Sequence, residues 1–136
     1  MNRTFESGLA EICHHANVGL LGYSPLAFGL LTGKYVDSPN TPGRITLFHG
    51  FGQRYAKENV PAATREYMRI AQEAGLTPAT MALAFARTRW FTSSVILGAT
   101  TLEQLKENLA SVSVTLAADV LEKIEAVHRR YPNPAP

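Results

Sequence analysis

The chain has 136 residues, 46% of them hydrophobic and 18% charged, which suits a single ordinary globular domain and argues against disorder. Its formal net charge of +2 comes from scattered Lys and Arg without a clustered basic face, so neither nucleic acid nor an anionic membrane is an expected partner. One cysteine, Cys13, excludes an internal disulfide, the opening MNRTFESG has no leader pattern, and the apolar stretch Val18 to Leu31 is too short to span a bilayer, so a cytoplasmic protein is expected.

Phe5, Leu9, Ile12 and Cys13 recur at helical spacing, and Asn17 can close that helix before the apolar run Val18 to Tyr23, which reads as a buried strand. Ser24-Pro25 ends the strand, because proline has no amide hydrogen, and residues Asp37 to Pro61 show no sustained period and read as a long loop. Pro61 then stands where a first-turn proline belongs, Tyr67, Met68, Ile70 and Ala71 form an apolar stripe, and Gly75 is a left-handed stop. Thr77-Pro78 starts a second helix that carries Met81, Leu83, Ala84 and Phe85 to about Arg89. Ser94 to Leu97 reads as a second strand, and Gly98 as its exit. Thr101 with Gln104 makes a capping-box pattern for a helix to about Ser111, and a last helix spans roughly Ala117 to Arg130 until the tail YPNPAP stops it.

Two apolar strand runs separated by helices are the pattern of parallel strands covered on both faces in an α/β sheet. A (β/α)8 barrel takes about 250 residues, so residues 1–136 are expected to form one partial barrel domain with open strand edges.

The chemistry-bearing segments follow the two strands. The first runs Tyr23-Ser24-Pro25-Leu26-Ala27-Phe28-Gly29 and on through Gly33-Lys34-Tyr35; the second runs from Gly98 through Thr100, Gln104 and Glu107 to Asn108. Both lie at strand carboxyl ends, the ligand-binding face of parallel barrels, where a glycine leading into a helix start offers free amides to a phosphate. By spacing alone, however, Ser-Pro is first a turn and Gly-x-Thr-Thr first a cap.

Together, the aromatic-Ser-Pro-Leu strand end, the Gly-Leu-Leu-Thr-Gly-Lys-Tyr sequel and the Leu-Gly-Ala-Thr-Thr-x-Glu-Gln-Leu-x-Glu-Asn segment resemble the aldo-keto reductase family. The likeness is to the carboxy-terminal portion of its members, in the branch that joins bacterial reductases to the β subunits of voltage-gated potassium channels. It extends over essentially the whole chain. The resemblance implies the carboxy-terminal part of a (β/α)8 TIM barrel and an NADP(H) cofactor without metal. It also implies site roles. Tyr23 would stack on the nicotinamide, and Ser24, Pro25, Leu26 and Ala27 would wrap the pyrophosphate with Lys34 and Arg44 near the phosphates. Gly98 and Thr100 would lie by the adenosine 2′-phosphate, and Gln104, Glu107 and Asn108 would reach the adenosine end. Each has a plainer reading as well: core for Tyr23, cap for Gln104, solvated charge for Lys34 and Arg44.

The family's catalytic tyrosine, lysine, histidine and aspartate belong to the amino-terminal half of the barrel, so no position of this chain is expected to inherit those roles. His49, Arg54, Tyr55 and Lys57 offer a superficial substitute, but an irregular loop lacks the rigidity that a proton donor needs. Cys13-His14-His15 is a poor metal site, since adjacent helix residues diverge and no second cluster completes it. The expected function is therefore that of a reductase fragment, inactive alone, with a small carbonyl substrate only if the barrel is completed. The alternative is a non-catalytic dinucleotide-binding or assembly module. Self-association or a complementary amino-terminal half is the expected partner.

Overall fold

The computed structural model describes residues 1–48 and 50–136. A 3-10 turn at Thr4–Ser7 leads into helix α1, Leu9–His15, with Gly8 between them at φ 152°. The helix expected from Phe5 onward is thus broken at Gly8, in a conformation that a residue with a Cβ rarely adopts. Asn17 closes α1 as read from sequence: its φ is 54°, and the Val18 amide donates back to the Cys13 carbonyl at 2.8 Å.

Strand β1 is Leu20–Gly22, and the chain then winds through 3-10 turns over Ala27–Thr32. Helix α2, Arg44–Leu47, and a 3-10 turn at Gln53–Ala56 are short pieces within the expected long loop. Helix α3, Asn59–Glu73, has Pro61 in its first turn, and Gly75 follows it at φ 67°. Helix α4 is Pro78–Thr88; the Thr77 hydroxyl oxygen accepts the Thr80 amide at 3.0 Å, so the cap predicted from Thr-Pro is formed. Strand β2, Thr92–Val95, helix α5, Leu102–Ala110, a 3-10 turn at Ser111–Ser113 and helix α6, Ala118–Arg130, complete the order.

The two strands pair in parallel, Leu21 opposite Ser94 and Gly22 opposite Val95, with α3 and α4 in the crossover between them. The architecture is α/β, as expected, but β2 begins two residues earlier than the apolar run Ser94 to Leu97. The ladder ends where the Ile96 amide donates to the Gly22 carbonyl at 2.9 Å, which leaves Leu97 beyond it.

The core is built by helices. Ala63, Tyr67, Ile70 and Ala71 of α3 pack with Met81 and Ala84 of α4 and with Val120, Ile124 and Val127 of α6. The expected burial of the strands is not what the structure shows: Leu21 is 59% and Tyr23 70% exposed, and Ile96 is exposed too. The physical reason is that a single crossover can cover only part of a two-stranded sheet. A second cluster gathers Ala27, Leu30, Tyr35, Val60 and Ala135. The tail therefore does more than stop α6, since it folds back and buries Ala135.

An ion-pair network joins the start of the chain to α4 and α6. Arg3 binds Glu6 at 2.6 Å and Glu125 at 2.8 Å, and Arg89 binds Glu6 at 3.0 Å. Both guanidinium groups lie over the Phe85 ring, 5.5 and 5.2 Å from its centroid.

Candidate functional site

The parallel pairing places the carboxyl ends of β1 and β2 side by side, and every residue expected from sequence to meet a cofactor follows one of these two ends. After β1 the backbone is strained. Ser24, Ala27 and Phe28 have φ of 53°, 50° and 58°, a left-handed region that non-glycine residues seldom occupy, and Gly29 follows at 90°. Strain of this kind costs about 1–3 kcal/mol per residue and gathers where a chain must present itself to a ligand. Tyr23 stands exposed at this tip, its ring 6.3 Å from that of Phe28. Ser24, Pro25 and Leu26 are half-buried, and Ala27 is buried in the second cluster.

The cations expected near phosphates sit on aromatic faces. Lys34 Nζ lies 4.7 Å from the centroid of the Tyr35 ring, and Arg44 lies 5.8 Å from that of Phe28. Phe28 also stacks on Phe51 at 4.7 Å and meets Tyr55 edge-on at 5.3 Å, which ties the long loop to the first tip. The Tyr35 hydroxyl is buried without a hydrogen-bond partner among the described residues. An ammonium and a guanidinium beside a strained strand exit form a donor set that fits a phosphate-bearing ligand.

The second tip is held by its own side chains. Gln104 Oε1 accepts the Thr100 amide at 2.9 Å and the Thr100 hydroxyl at 3.1 Å, while the Thr101 hydroxyl oxygen accepts the Gln104 amide at 3.2 Å. The capping box is therefore formed with its return arm shifted one residue, onto Thr100. Asn108, 3% exposed, donates from Nδ2 to the Gly98 carbonyl at 3.2 Å. Glu107 accepts from the Thr77 hydroxyl, which links α5 to the start of α4. Gly98 and Thr100 remain exposed, so this turn is braced from beneath and open above.

A cavity of about 790 Å³ opens beside the first tip, lined by Tyr23, Ser24, Phe28, Tyr55, Met81 and Phe85 among others. Residues 98–108 do not line it, so the two tips share an end of the sheet without sharing this cavity. Of the loop residues set aside from sequence, His49 lies outside the described residues. Tyr55 is half-buried against Phe28 rather than loose, and burial, only partly offset by the Arg54 charge, raises its hydroxyl above the usual value of 10. That is the wrong direction for a proton donor. Among the described residues no group of three or more potential metal ligands occurs, and among them no helix is long and apolar enough to cross a membrane. Sequence reading missed Phe28, Tyr35 and Gly43 as parts of the site and read Thr77 only as a helix cap. Only Phe28 and Tyr35 carried a signal, each being an aromatic set beside a flagged glycine or lysine.

Residues 1–129 match the model of the Aldo/keto reductase family. Protein tas of Escherichia coli (strain K12) is 50% identical over 137 residues, which covers all of this chain and 39% of that protein. An aldo-keto reductase of Babesia bovis is 35% identical over 95% of the chain and 48% of its own length. A putative voltage-gated potassium channel subunit beta of Schizosaccharomyces pombe is 33% identical over 90% of the chain and 38% of its own length. The chain thus spans about two-fifths to one-half of the curated relatives it matches, and the branch indicated by its motifs is the one these relatives represent. With strand tips that carry the family's two motifs on one end of a parallel sheet, and a family match over nearly its whole length, the chain belongs to the aldo/keto reductase family.

Proposed function

We propose that this chain forms the phosphate- and adenosine-facing part of an NADP(H) site in the carboxy-terminal portion of a (β/α)8 barrel whose reaction is carbonyl reduction or alcohol oxidation. The observation that carries this reading is the pairing of Gly22 with Val95, which sets both motif-bearing tips on one end of the sheet. In this reading Tyr23 offers a π-face, residues 24–27 wrap the pyrophosphate, and Lys34 and Arg44 neutralise it. Gly98 and Thr100 meet the 2′-phosphate, while Gln104, Glu107 and Asn108 shape the adenosine end. When bound, the cofactor would donate the hydride in reduction and accept it in oxidation. The residues of this chain bind and orient; in this reading the proton donor lies outside these 136 residues, and the carbonyl pocket is built largely outside them with the terminal tail contributing.

Calorimetric titration of the chain with NADP+ tests the reading. We expect saturable binding that is lost in Gly98→Glu, since the exposed turn would then carry an anion against an anion, and no aldehyde reduction by the chain alone. Absence of binding at millimolar cofactor would refute it. A second reading, a non-catalytic assembly or dinucleotide-sensing module, is favoured by the exposure of Leu21, Tyr23 and Ile96 on the strand runs. Recovery of reductase activity on adding an amino-terminal half-barrel from a family member would select the enzyme reading; binding without recovery would select the module.

A further inference from the structure

Lys34, Tyr35 and Gly43 meet at one point that neither motif explains. A Cβ built on Gly43 would fall 2.2 Å from the Tyr35 hydroxyl oxygen and 2.6 Å from Lys34 Nζ, both far inside contact distance. The Gly43 backbone is extended, with φ 174°, so any residue could adopt it. Glycine is needed there for space alone. Tyr35 is 8% exposed, its hydroxyl has no partner among the described residues, and the Lys34 ammonium lies over its ring. Shape, not hydrogen bonding, therefore fixes the ring, and the ring carries the cation.

We propose that Tyr35 is a positioning residue: its buried ring, whose hydroxyl end shares the gap left by Gly43 with the Lys34 ammonium, holds that ammonium where it meets the phosphate oxygens of a ligand at the first strand tip. This inference rests on reading that tip as a phosphate site. A lysine on four flexible bonds binds an anion only after giving up rotamer freedom, and a fixed aromatic face beneath the ammonium takes up part of that cost before the ligand arrives. The role belongs to the ring face and to the gap, and not to any hydrogen bond of the hydroxyl.

The test uses the full chain and inorganic pyrophosphate, with NMR of the Lys34 side chain. In the wild type the Lys34 ε-methylene protons should be shifted upfield by the Tyr35 ring and should move on adding pyrophosphate. Tyr35→Leu and Gly43→Ala should each abolish the upfield shift and weaken pyrophosphate binding by about two- to fivefold. Tyr35→Phe should preserve both, and in a Lys34→Ala background Tyr35→Leu should have no further effect on binding. Circular dichroism identical to wild type shows that a variant is folded; if Gly43→Ala is not, the Tyr35 pair alone decides. The proposal is overturned if the Lys34 methylene resonates at its unshifted position, if wild type does not bind pyrophosphate, or if Tyr35→Phe weakens binding as much as Tyr35→Leu. Pyrophosphate binding with the expected pattern but no response to NADP+ would uphold the positioning role while removing the dinucleotide reading.

Discussion

Glu6 shows how one residue sets a measurable property of this chain. Burial pushes its carboxyl up, but the Arg3 hydrogen bond and the charges of Arg3, Arg89 and His128 together outweigh burial and hold it below the usual value of 4.5. A carboxyl depressed in the folded state adds stability that is present above 4.5 and is lost as pH falls through the lower folded value. His128, lowered from 6.5 by burial and then by Arg3, acts in the same direction, because the unfolded chain takes up that proton first. We therefore expect urea midpoints to fall in stages on acidification: from below 8, where burial lowers the Met1 amino group to about 6, then from below 6.5 with His128, and finally from below 4.5 in the carboxylate range. Glu6→Gln should weaken the carboxylate stage, to which Glu73 and Glu103 also contribute, and cost about 1 kcal/mol at neutral pH, given partial exposure. A midpoint independent of pH down to the carboxylate range would contradict the network. None of this was legible in the sequence: Arg3 and Glu125 lie at opposite ends of the chain, and their pairing depends on how α6 folds back.

At the level of elements, the signals that could be read were local. Thr77-Pro78, Thr101 and Gly75 act through their immediate neighbours, and all three do in the structure what their spacing predicted. What the hydroxyl of Thr77 does beyond its own helix was not readable, because Glu107 reaches it only after α5 packs beside α4. The two caps should therefore differ. Thr101→Ala should cost about 1 kcal/mol, the usual loss of an N-cap, while Thr77→Ala should cost closer to 2 kcal/mol by losing the cap and the tie to Glu107 together. Equal shifts in denaturation midpoint would show that the Thr77–Glu107 contact contributes nothing. The strand ends were less legible than the caps. The second apolar run placed β2 two residues late, since hydrophobicity marks residues that want cover and the ladder marks where β1 happens to lie.

For the whole molecule, the outstanding feature is apolar surface left open. Besides Leu21 and Tyr23, Ile12, Trp90, Leu102, Leu109 and Val112 are exposed, and each strand of the sheet has an unpaired edge. Exposed parallel edges and apolar patches favour association. Sedimentation equilibrium at tens of micromolar should show self-association, and a hydrophobic dye should bind; a monomer that binds no dye would contradict the expectation. The sequence by itself determined the α/β class, the order of helices and strands, the caps, and the two motifs that mark the family, because each is written in residues adjacent along the chain. Only the tertiary structure decided that helices rather than strands form the core, that Ala135 returns to join the cluster of Ala27, Leu30, Tyr35 and Val60, and that Gly43 makes room for the Tyr35 hydroxyl and Lys34. Those are contacts between residues distant in sequence, and their energies exist only once the chain has closed the loops that bring them together.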